Sequence, residues 1–597
     1  MAASAAVASG RMRGTHYKWI ALSNTTLGML MATINSSIIL ISLPGIFRGI
    51  GINPLSPGNV GYLLWLMMGY MLITAVLVVT LGRLGDIMGR VRIYNLGFAV
   101  FTIGSIILAL DPMNGGGGAL WLVLWRLLQG IGGAMLFANS SAIIVDAFPA
   151  EQRGLAMGIN QVAAIAGSFI GLIAGGLLSV VDWRLVFWVS VPVGIVGTIW
   201  GYHSLRDNGR RVNARIDWWG NVTFGVGLTA VLAAIVYGIQ PYGGHTMGWT
   251  APKVLAGLIG GVVCLGIFAL IELRVKAPMF NLRLFRIRPF AAGSAAGLLA
   301  AIARGGMQFM LIIWLQGIWL PLHGYKYEDT PLWAGIYLLP LTIGFLFAGP
   351  ISGYLSDRHG ARVLSTGGLL VFAGSFLGLL FVPTDFHYWI FAVLVFSNGV
   401  GGGLFSAPNS TAIMNSVPAN QRGGAAGLQA TFMNSGMVLS IGIFFSLMIV
   451  GLANTLPSAM SHGLLSNGVG ASQAATISGE PPVGSLFASF LGYNPLQSLL
   501  GSQSAAHVSD AQWHTLTGKE FFPHLISSPF HHGLVIVFAM AIAMSLLAAV
   551  FSMMRGRRFV HDEDAVEALH PEHEHIGDAA LVAGGIPGEL AVEDDRI

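Results

Sequence analysis

Two arginines lie deep inside long apolar segments of the sequence, where a charged side chain is energetically costly and therefore indicates a specific role. Arg126 lies about eight residues, or roughly 12 Å, inside its segment, and Arg304 follows Pro289 by about fifteen residues. A cation at such depth costs a few kcal/mol unless it is paired or hydrated. We therefore favour a functional role for Arg126, whereas for Arg304 contact with a bound ligand and structural pairing are both open.

A group that could carry a proton is harder to find. No Asp, Glu or His lies in the middle of an apolar segment, although proton transfer at such depth usually uses a carboxylate or an imidazole. The nearest candidate is Asp146, 20 residues after Arg126. We expect Asp146 at the edge of the apolar layer and retain it as a possible proton site.

Other chemistry finds no support in the sequence. There is no phosphate-binding Gly-Lys-Ser/Thr loop, metalloprotease helix or nucleophile elbow, so we predict neither an enzyme nor a bound cofactor. Histidines alternate with acids in the C-terminal tail at His570, Glu572, His573, Glu574 and His575. We interpret them as part of a disordered acidic tail and predict no metal site.

Composition indicates the class of protein. The 597 residues are 54% hydrophobic and 9% charged, against about 25% charged residues in an average soluble chain. So little charge cannot cover the surface of a water-soluble domain, and a single cysteine, Cys264, excludes a disulfide framework. The sequence predicts an all-α polytopic membrane protein.

Apolar runs of spanning length occur about fourteen times, between residues 19 and 553. Most of the 30 Lys and Arg residues lie in every second loop, and these loops are on the same side of the membrane as both termini. Basic loops are typical of the cytoplasmic face. We therefore predict a multi-pass protein of a bacterial cytoplasmic membrane with both termini inside. The positive charge is assigned to these loops rather than to nucleic-acid binding.

Two short motifs occur twice in the same order. Residues 82–90 (GRLGDIMGR) recur as 353–360 (GYLSDRHG), and residues 149–158 recur as 418–427, with offsets of 271 and 269. This repetition predicts two six-helix pseudo-symmetric bundles in the same orientation, separated by two inserted helices. The predicted divisions are a cytoplasmic segment 1–18, bundles 19–205 and 290–558, a linker 206–289, an external loop 453–530 within the second bundle, and the acidic tail 559–597.

The first repeated motif has a mechanical interpretation. Its glycines allow close approach and a sharp turn between two helices, and its acid can accept hydrogen bonds at the start of the next helix. Arg90 and Arg92 can then pair across to the other half. The residues predicted to control conformation are Gly82, Asp86, Gly89, Arg90, Gly353, Asp357 and Gly360.

This motif pair resembles the signature of the major facilitator superfamily of secondary transporters, over about Trp19 to Arg558. The run 126–133 (RLLQGIGG) resembles that family's fourth-helix motif, in which the Arg and the glycine-rich face border the central cavity. Trp183, Arg184 and Phe187, followed by Pro192, are similar to the start of the sixth helix in the fourteen-helix drug:proton antiporter branch. The two inserted helices and the long external loop fit that branch as well.

The sequence departs from the branch at two places. The fifth helix has the glycine stripe Gly167, Gly171, Gly175 and Gly176, which favours close helix packing, but Leu172 stands where the antiporter motif has proline. On the first helix Asn35 takes the place of the branch's acidic residue. The expected coupling to protons is therefore weak or absent.

The resemblance implies a secondary active exporter of small hydrophobic or amphiphilic compounds, of the multidrug-efflux type, that works by alternating access, with coupling to protons left open. Alternatives are an exporter of a lipid or other anionic amphiphile with weak or no proton coupling, and a non-transporting receptor or scaffold. The expected partners are a small-molecule substrate and the lipid bilayer, with a monomeric protein. The residues predicted to line the substrate cavity are Asn35, Trp65, Arg126, Gln129, Arg304, Gln308, Trp314 and Gln316.

Overall fold

The computed structural model describes residues 2–53, 59–207, 217–275, 278, 280–418, 422–492, 494–505 and 508–556. Fourteen helices in this part are long and apolar enough to cross a membrane, which confirms the predicted all-α membrane fold. In chain order, thirteen of them are α1 His16–Gly49, α2 Asn59–Met88, α3 Arg90–Ala109, α4 Gly115–Ala147, α5 Ala156–Val181, α6 Leu185–Ser204, α7 Trp218–Gly238, α8 Pro252–Arg274, α9 Arg288–Leu322, α10 Thr330–Ser356, α11 Ala361–Leu380, α12 Tyr388–Asn415 and α13 Gly424–Ser466.

Four short helices follow α13 before the last membrane helix. They are α14 Ala471–Ser478, α15 Pro482–Phe490, α16 Pro495–Ala505 and α17 Asp510–Thr517, and the last membrane helix is α18 Phe521–Met554. The segment between α13 and α18 is 467–520, and it lies within the predicted external loop 453–530. We call 467–520 the cap segment. The predicted acidic tail 559–597 lies outside the described residues.

The two halves share a close helix contact at equivalent positions. A Cβ added to Gly132 of α4 would lie 2.6 Å from the backbone nitrogen of Phe101 on α3, and one added to Gly401 of α12 would lie 2.6 Å from that of Phe372 on α11. Such close contacts of helix backbones require glycine. The same packing device therefore joins the third and fourth helices of each half.

The repeated motif makes the same turn in both halves. Gly89 between α2 and α3 has φ 110°, and Gly360 between α10 and α11 has φ 84°, a region that side chains with a Cβ strongly disfavour. We call the end of the bundle with these two turns the motif end, and the opposite end, where the cap segment lies, the cap end.

The inserted helices α7 and α8 form a hairpin beside the seam between the halves. A Cβ at Gly261 of α8 would lie 2.8 Å from the carbonyl oxygen of Gly227 on α7. The hairpin contacts α2 of the first half, where a Cβ at Gly225 would lie 3.2 Å from Val76. Its far side exposes apolar side chains such as Ile259 and Val262, 64% and 62% exposed, which is a surface suited to lipid.

The cap segment packs its apolar side chains into the second half. On α15, Phe487 stacks on Phe445 of α13 with ring centroids 5.0 Å apart, and Phe490 lies edge-on to Phe309 of α9 at 5.9 Å. The hydroxyl of Ser489 donates a 2.7 Å hydrogen bond to the carbonyl of Gly317. Gly317 lies in a π-helical turn of α9, where such a carbonyl is free to accept. The cap segment is therefore docked on α9 and α13.

Candidate functional site

The glycine stripe of α5 is the surface on which α5 meets α1. A Cβ at Gly167, Gly171 or Gly175 would lie 2.8, 2.6 or 2.7 Å from the carbonyl oxygens of Leu30, Ile34 and Ile38, respectively. These carbonyls follow one another at intervals of four residues, so the two helices are in register along two turns. The hydroxyl of Ser42 on α1 also donates a 3.0 Å hydrogen bond to the carbonyl of Gly175. The stripe holds α5 directly against α1.

The fourth glycine of the stripe faces the other half of the protein. A Cβ at Gly176 would lie 2.5 Å from the Cα of Leu332 on α10, and one at Gly335 would lie 3.2 Å from the carbonyl of Leu172. These four residues form what we call the cap-end contact. It joins α5 to α10 on the cap-end side of the membrane core.

A second connection between the halves comes from Gln316 of α9. Its Nε2 donates a 3.4 Å hydrogen bond to the carbonyl of Ile41 on α1, and the side chain is fully buried. In contrast, Cβ atoms at Gly158 of α5 and Gly353 of α10, nearer the motif end, would meet nothing within 4 Å. The described contacts of α5 and α10 thus close the seam at the cap end.

Arg126 lies in a buried polar network that we call the arginine network, made of Asn35, Tyr70, Ser105, Arg126 and Gln129. The guanidinium donates hydrogen bonds to the side-chain oxygen of Asn35 and, at 2.7 Å, to that of Gln129. It also stacks 4.8 Å from the centre of the Tyr70 ring. Arg126 is 1% exposed, so neutral amides and an aromatic face compensate this buried cation without a carboxylate.

Gln129 extends this network to a third helix. Its Nε2 donates a 2.7 Å hydrogen bond to the hydroxyl of Ser105 on α3. In the second half, Asn398 of α12 donates a hydrogen bond of the same length to Ser375 of α11. The amide–serine pair thus belongs to the repeat, whereas the arginine occurs only in the first half.

A cavity separates α5 of the first half from α9, α10, α11 and α12 of the second. Its volume of about 30 Å³ is enough for one or two water molecules. Five of its lining residues carry polar side chains and the others are apolar or glycine. The lining is Ile165, Ser168, Phe169, Leu172, Arg304, Gln308, Leu338, Leu341, Thr342, Phe345, Phe372, Asn398, Gly399 and Gly402.

Arg304 is the charged member of this lining. Its guanidinium lies 4.7 Å from the centre of the Phe345 ring. Across the part of the chain that the structure describes, Arg304 makes no hydrogen bond and no ion pair. Nearby, the side-chain oxygen of Asn398 is buried without a hydrogen-bond partner. The cavity therefore combines a cation that has no counter-ion with a buried acceptor and three aromatic faces.

The predicted cavity residues divide into three groups. Arg304 and Gln308 line the cavity, whereas Asn35, Arg126 and Gln129 belong to the arginine network. The indole of Trp314 is fully buried, lies 5.0 Å from the ring of Phe386 and donates to the carbonyl of Thr384. Trp65 and Gln316 also lie outside the cavity lining in this conformation.

Sequence reasoning missed the wall opposite Arg304. Phe345 and Thr342 come from α10 and Ser168 from α5, and no motif marked these positions. Asn398 could have been found, because it stands 269 residues after Gln129, the same offset that relates the second repeated motif. The symmetric partner of a predicted site residue was the useful signal.

At the motif end, Arg90 connects two helices of the first half. Its Nε donates a 2.8 Å hydrogen bond to Asp86 of α2, and its Nη1 donates at 2.7 Å to Asp146 of α4. The expectation that Arg90 pairs with the other half is wrong for this conformation, because Asp146 lies closer. Arg92 is exposed, and the side chain of Asp357 lies outside the described part of the chain.

Acidic residues occur in the fourteen membrane helices only near their ends. They are Asp86, Asp146 and Glu272, each within three residues of a helix end. Among the described residues, groups of three or more His, Cys, Asp or Glu side chains that could hold a metal ion are absent. Within the described membrane helices, the charges near the centre of the bundle are thus Arg126, which is buried, and Arg304, which is half-buried.

Comparison with known proteins agrees with this architecture. The family model described as the Major Facilitator Superfamily matches residues 25–441. The tetracenomycin C resistance and export protein of Streptomyces glaucescens is 27% identical over 551 residues, which cover 92% of this chain and 93% of that protein. The multidrug resistance protein Stp of Mycobacterium tuberculosis (strain CDC 1551 / Oshkosh) is 30% identical over 443 residues, 73% of this chain and 77% of that protein.

Another relative has a different named substrate. The riboflavin transporter RibZ of Clostridioides difficile (strain 630) is 27% identical over 431 residues, 72% of this chain and 88% of that protein. Among solved structures, an inward-facing, occupied bacterial homologue of the human lysosomal transporter Spinster superposes with a TM-score of 0.52 at 16% identity, covering 91% of this chain and 97% of that one. With its fourteen membrane helices and its drug-resistance relatives, the chain belongs to the Major Facilitator Superfamily of membrane transporters and is not an enzyme.

Proposed function

We propose that the protein exports small hydrophobic or amphiphilic compounds across a bacterial cytoplasmic membrane by alternating access. The observation that carries the proposal is the cavity between the halves, which has polar and aromatic walls and lies below the cap-end contact. A cavity at such a position takes a ligand from one side and releases it to the other when the halves rock. The moving units are the predicted bundles 19–205 and 290–558.

The direction of export follows from the charge of the loops. The motif end has most of the basic loop residues, such as Arg90, Arg92 and Arg206, so we assign it to the cytoplasm. With the cap-end contact closed, substrate enters from the cytoplasmic side. Opening of the contact between Gly176 and Leu332 then releases it outside.

The small volume of the cavity requires its walls to part before a substrate binds. About 30 Å³ is far below the roughly 300–1,000 Å³ of a site for a drug-sized ligand. The glycine stripe gives α5 a flat surface against α1, so the two helices move as one unit while α5 separates from α10. The structure therefore corresponds to a nearly closed state of the cycle.

The named relatives support the substrate class only in outline. The proteins from Streptomyces glaucescens and Mycobacterium tuberculosis are named for antibiotic or multidrug resistance, and the one from Clostridioides difficile for riboflavin transport. We propose the same general class for this protein, acting as a monomer.

The experiment is transport by the purified protein in proteoliposomes. A panel of fluorescent anionic, neutral and cationic compounds is loaded on one side, and exchange is measured with and without a pH gradient. The control is Gly176→Trp, which places a large side chain against the backbone of Leu332 and prevents closure at the cap end. Exchange of at least one compound by the native protein, lost in Gly176→Trp, supports export; no exchange of any compound overturns it.

A shortened chain separates transport from a scaffold function. If the protein is a transporter, a chain that ends at Arg558 keeps its exchange activity, because the cavity and both bundles remain. A scaffold that signals through the acidic tail would show no exchange in either form. Reporters fused after Arg558 and inserted at Gly470 in the cap segment test orientation, and they should lie on opposite sides of the membrane.

A further inference from the structure

Arg304 differs from the buried Arg126 in having no hydrogen-bonding partner among the described residues. Arg126 donates hydrogen bonds to Asn35 and Gln129, whereas within the described residues Arg304 has only the Phe345 ring beside it. Arg304 is half-buried in the wall of the cavity, and partial removal from water is unfavourable for a cation that has no counter-ion. Since all five guanidinium N–H groups of Arg304 lack a protein acceptor among the described residues, the position is costly unless something else supplies one.

The surroundings of Arg304 offer no carboxylate. The nearest side chains in the cavity are neutral, and the acids of the membrane helices lie within three residues of helix ends. Thr342, Gln308 and Ser168 provide hydroxyl and amide groups in the same lining. Phe169, Phe345 and Phe372 provide apolar faces. This combination fits a molecule with one anionic group and an apolar body.

We propose that Arg304 binds the anionic group of the transported compound, so that the preferred substrates are organic anions with an apolar body. This inference rests on the proposed export function and narrows its substrate class. A guanidinium binds a carboxylate through two parallel hydrogen bonds. Phe345, which stacks on the guanidinium, holds it in place, and the phenyl rings contact the apolar body.

The same geometry selects against organic cations. A cation in this cavity meets the positive charge of Arg304 and no carboxylate, and like charges in a medium of low dielectric repel strongly. The exporter thus differs from one that takes cationic dyes, which needs an acid in its cavity. The amide of Asn398, whose side-chain oxygen has no partner, accepts a hydrogen bond from a hydroxyl or amide of the substrate.

Three probes that share one apolar body test the inference. Pyrenebutyrate is anionic, pyrenebutanol neutral and pyrenebutyl-trimethylammonium cationic. Binding to the full-length protein in detergent is measured by energy transfer from tryptophan to pyrene. We expect the anion to bind most tightly and the cation most weakly. Equal binding of all three, or preference for the cation, overturns the inference.

Substitutions locate the effect. Arg304→Gln should weaken binding of pyrenebutyrate by about tenfold or more, as expected for loss of a hydrogen-bonded charge pair, and leave binding of pyrenebutanol unchanged. Arg304→Lys keeps the charge and should retain part of the preference. The control variant Arg92→Gln removes an exposed arginine at the motif end and should leave the preference intact. A preference for the anion that survives in Arg304→Gln overturns the inference.

Two further arms separate this inference from the proposed function. If neutral or cationic compounds are exchanged in proteoliposomes and anions are not, export stands and the anion preference fails; if nothing is exchanged, export itself fails. A short-chain anionic phospholipid added as competitor identifies the source of the anion. Displacement of pyrenebutyrate indicates lipid headgroups, and absence of displacement indicates small organic anions; either result keeps the anion site.

Discussion

Arg126 on α4 donates hydrogen bonds to both the side-chain oxygen and, at 3.4 Å, the backbone carbonyl of Asn35 on α1. Asn35 stands where the resemblance to drug:proton antiporters implies an acid. The amide of Asn35 accepts a hydrogen bond from the guanidinium as a carboxylate would. Because the amide is uncharged, it does not neutralise the positive charge of Arg126. The first half therefore contains a cation that is held in place without being neutralised.

Removal of the Asn35 acceptor should destabilise the protein. In Asn35→Ala, Arg126 remains buried with fewer acceptors, at a cost of about 1–3 kcal/mol, which lowers the thermal unfolding temperature. Ser397→Ala is a matched control on α12, because that hydroxyl bonds only to the carbonyl one turn earlier on its own helix. Equal unfolding temperatures for the two variants would show that the Arg126–Asn35 bond contributes little.

The glycine stripe predicts a difference between two alanines on one helix. In Gly171→Ala the new Cβ would lie 2.6 Å from the carbonyl of Ile34, so α1 and α5 must separate, at about 1–3 kcal/mol. In Gly158→Ala the Cβ meets nothing within 4 Å, and stability should be unchanged or slightly higher. Thermal unfolding and transport rate check the pair. Equal effects would mean that close packing of α5 on α1 is not required.

The Asp86–Arg90–Asp146 cluster predicts an effect on rate more than on stability. The three side chains are 25–32% exposed, so loss of Asp86 costs less than about 1 kcal/mol. The loss of Asp86 does, however, remove one of the two carboxylates through which Arg90 joins α2 to α4 at the motif end. Asp86→Ala should slow exchange in proteoliposomes while membrane expression stays normal.

Arg92→Ala provides the control for this cluster, because it removes an exposed charge two residues from Arg90. It should exchange substrate at the native rate. The double variant Asp86→Ala/Asp357→Ala extends the test to the second half. Full transport by the double variant would show that the motif is dispensable in this protein.

Asp111, between α3 and α4, predicts a dependence of stability on pH. Burial raises the pKa of this carboxyl, and the hydrogen bond from the Met113 amide and the charge of Arg184 offset only part of the rise. The folded state therefore binds the proton more tightly than the unfolded state, and stability falls as pH rises from the unfolded pKa through the folded one.

Asp111→Asn should consequently raise the unfolding temperature at pH 7 and leave it nearly unchanged at pH 4. The amide oxygen still accepts from Met113, so the turn itself is kept. Asp182→Asn, at an exposed carboxylate, makes the same change of charge and is the matched variant, and Asp111→Asn should give the larger gain at pH 7. A gain from Asp111→Asn that is equal at pH 4 and pH 7 would contradict the assignment to ionisation.

The helices and their repeat were predictable because each depends on a local property of the sequence. Apolar runs gave fourteen spans, and the offset of 271 between Gly89 and Gly360 matched two turns of the same conformation. The predicted external loop 453–530 contains the ends of two long helices, since α13 continues beyond Pro457 to Ser466 and α18 begins at Phe521. A linear hydropathy profile does not distinguish such helix extensions from a loop.

The candidate site was less predictable because it depends on contacts between distant helices. Arg126 and Arg304 are both cations within apolar runs, and of the two only Arg126 belongs to a recognisable motif. Only the fold shows that amides surround the first and that the second borders the cavity with Phe345. The choice between structural pairing and ligand contact thus required the positions of α1, α4 and α10.

Proton coupling gives the last prediction. The arginine network lacks a titratable acid at Asn35, and Asp146, the possible proton site, is already paired with Arg90 at 2.7 Å. That ion pair engages the Asp146 carboxylate at the motif end, and Asp146 is not part of the cavity lining. We therefore expect exchange to depend weakly on the pH gradient, and Asp146→Asn not to change that dependence. Asn35→Asp places a carboxylate against Arg126 and should strengthen the dependence of exchange on the pH gradient. A steep gradient dependence of the native protein that Asp146→Asn abolishes would instead make Asp146 the proton carrier.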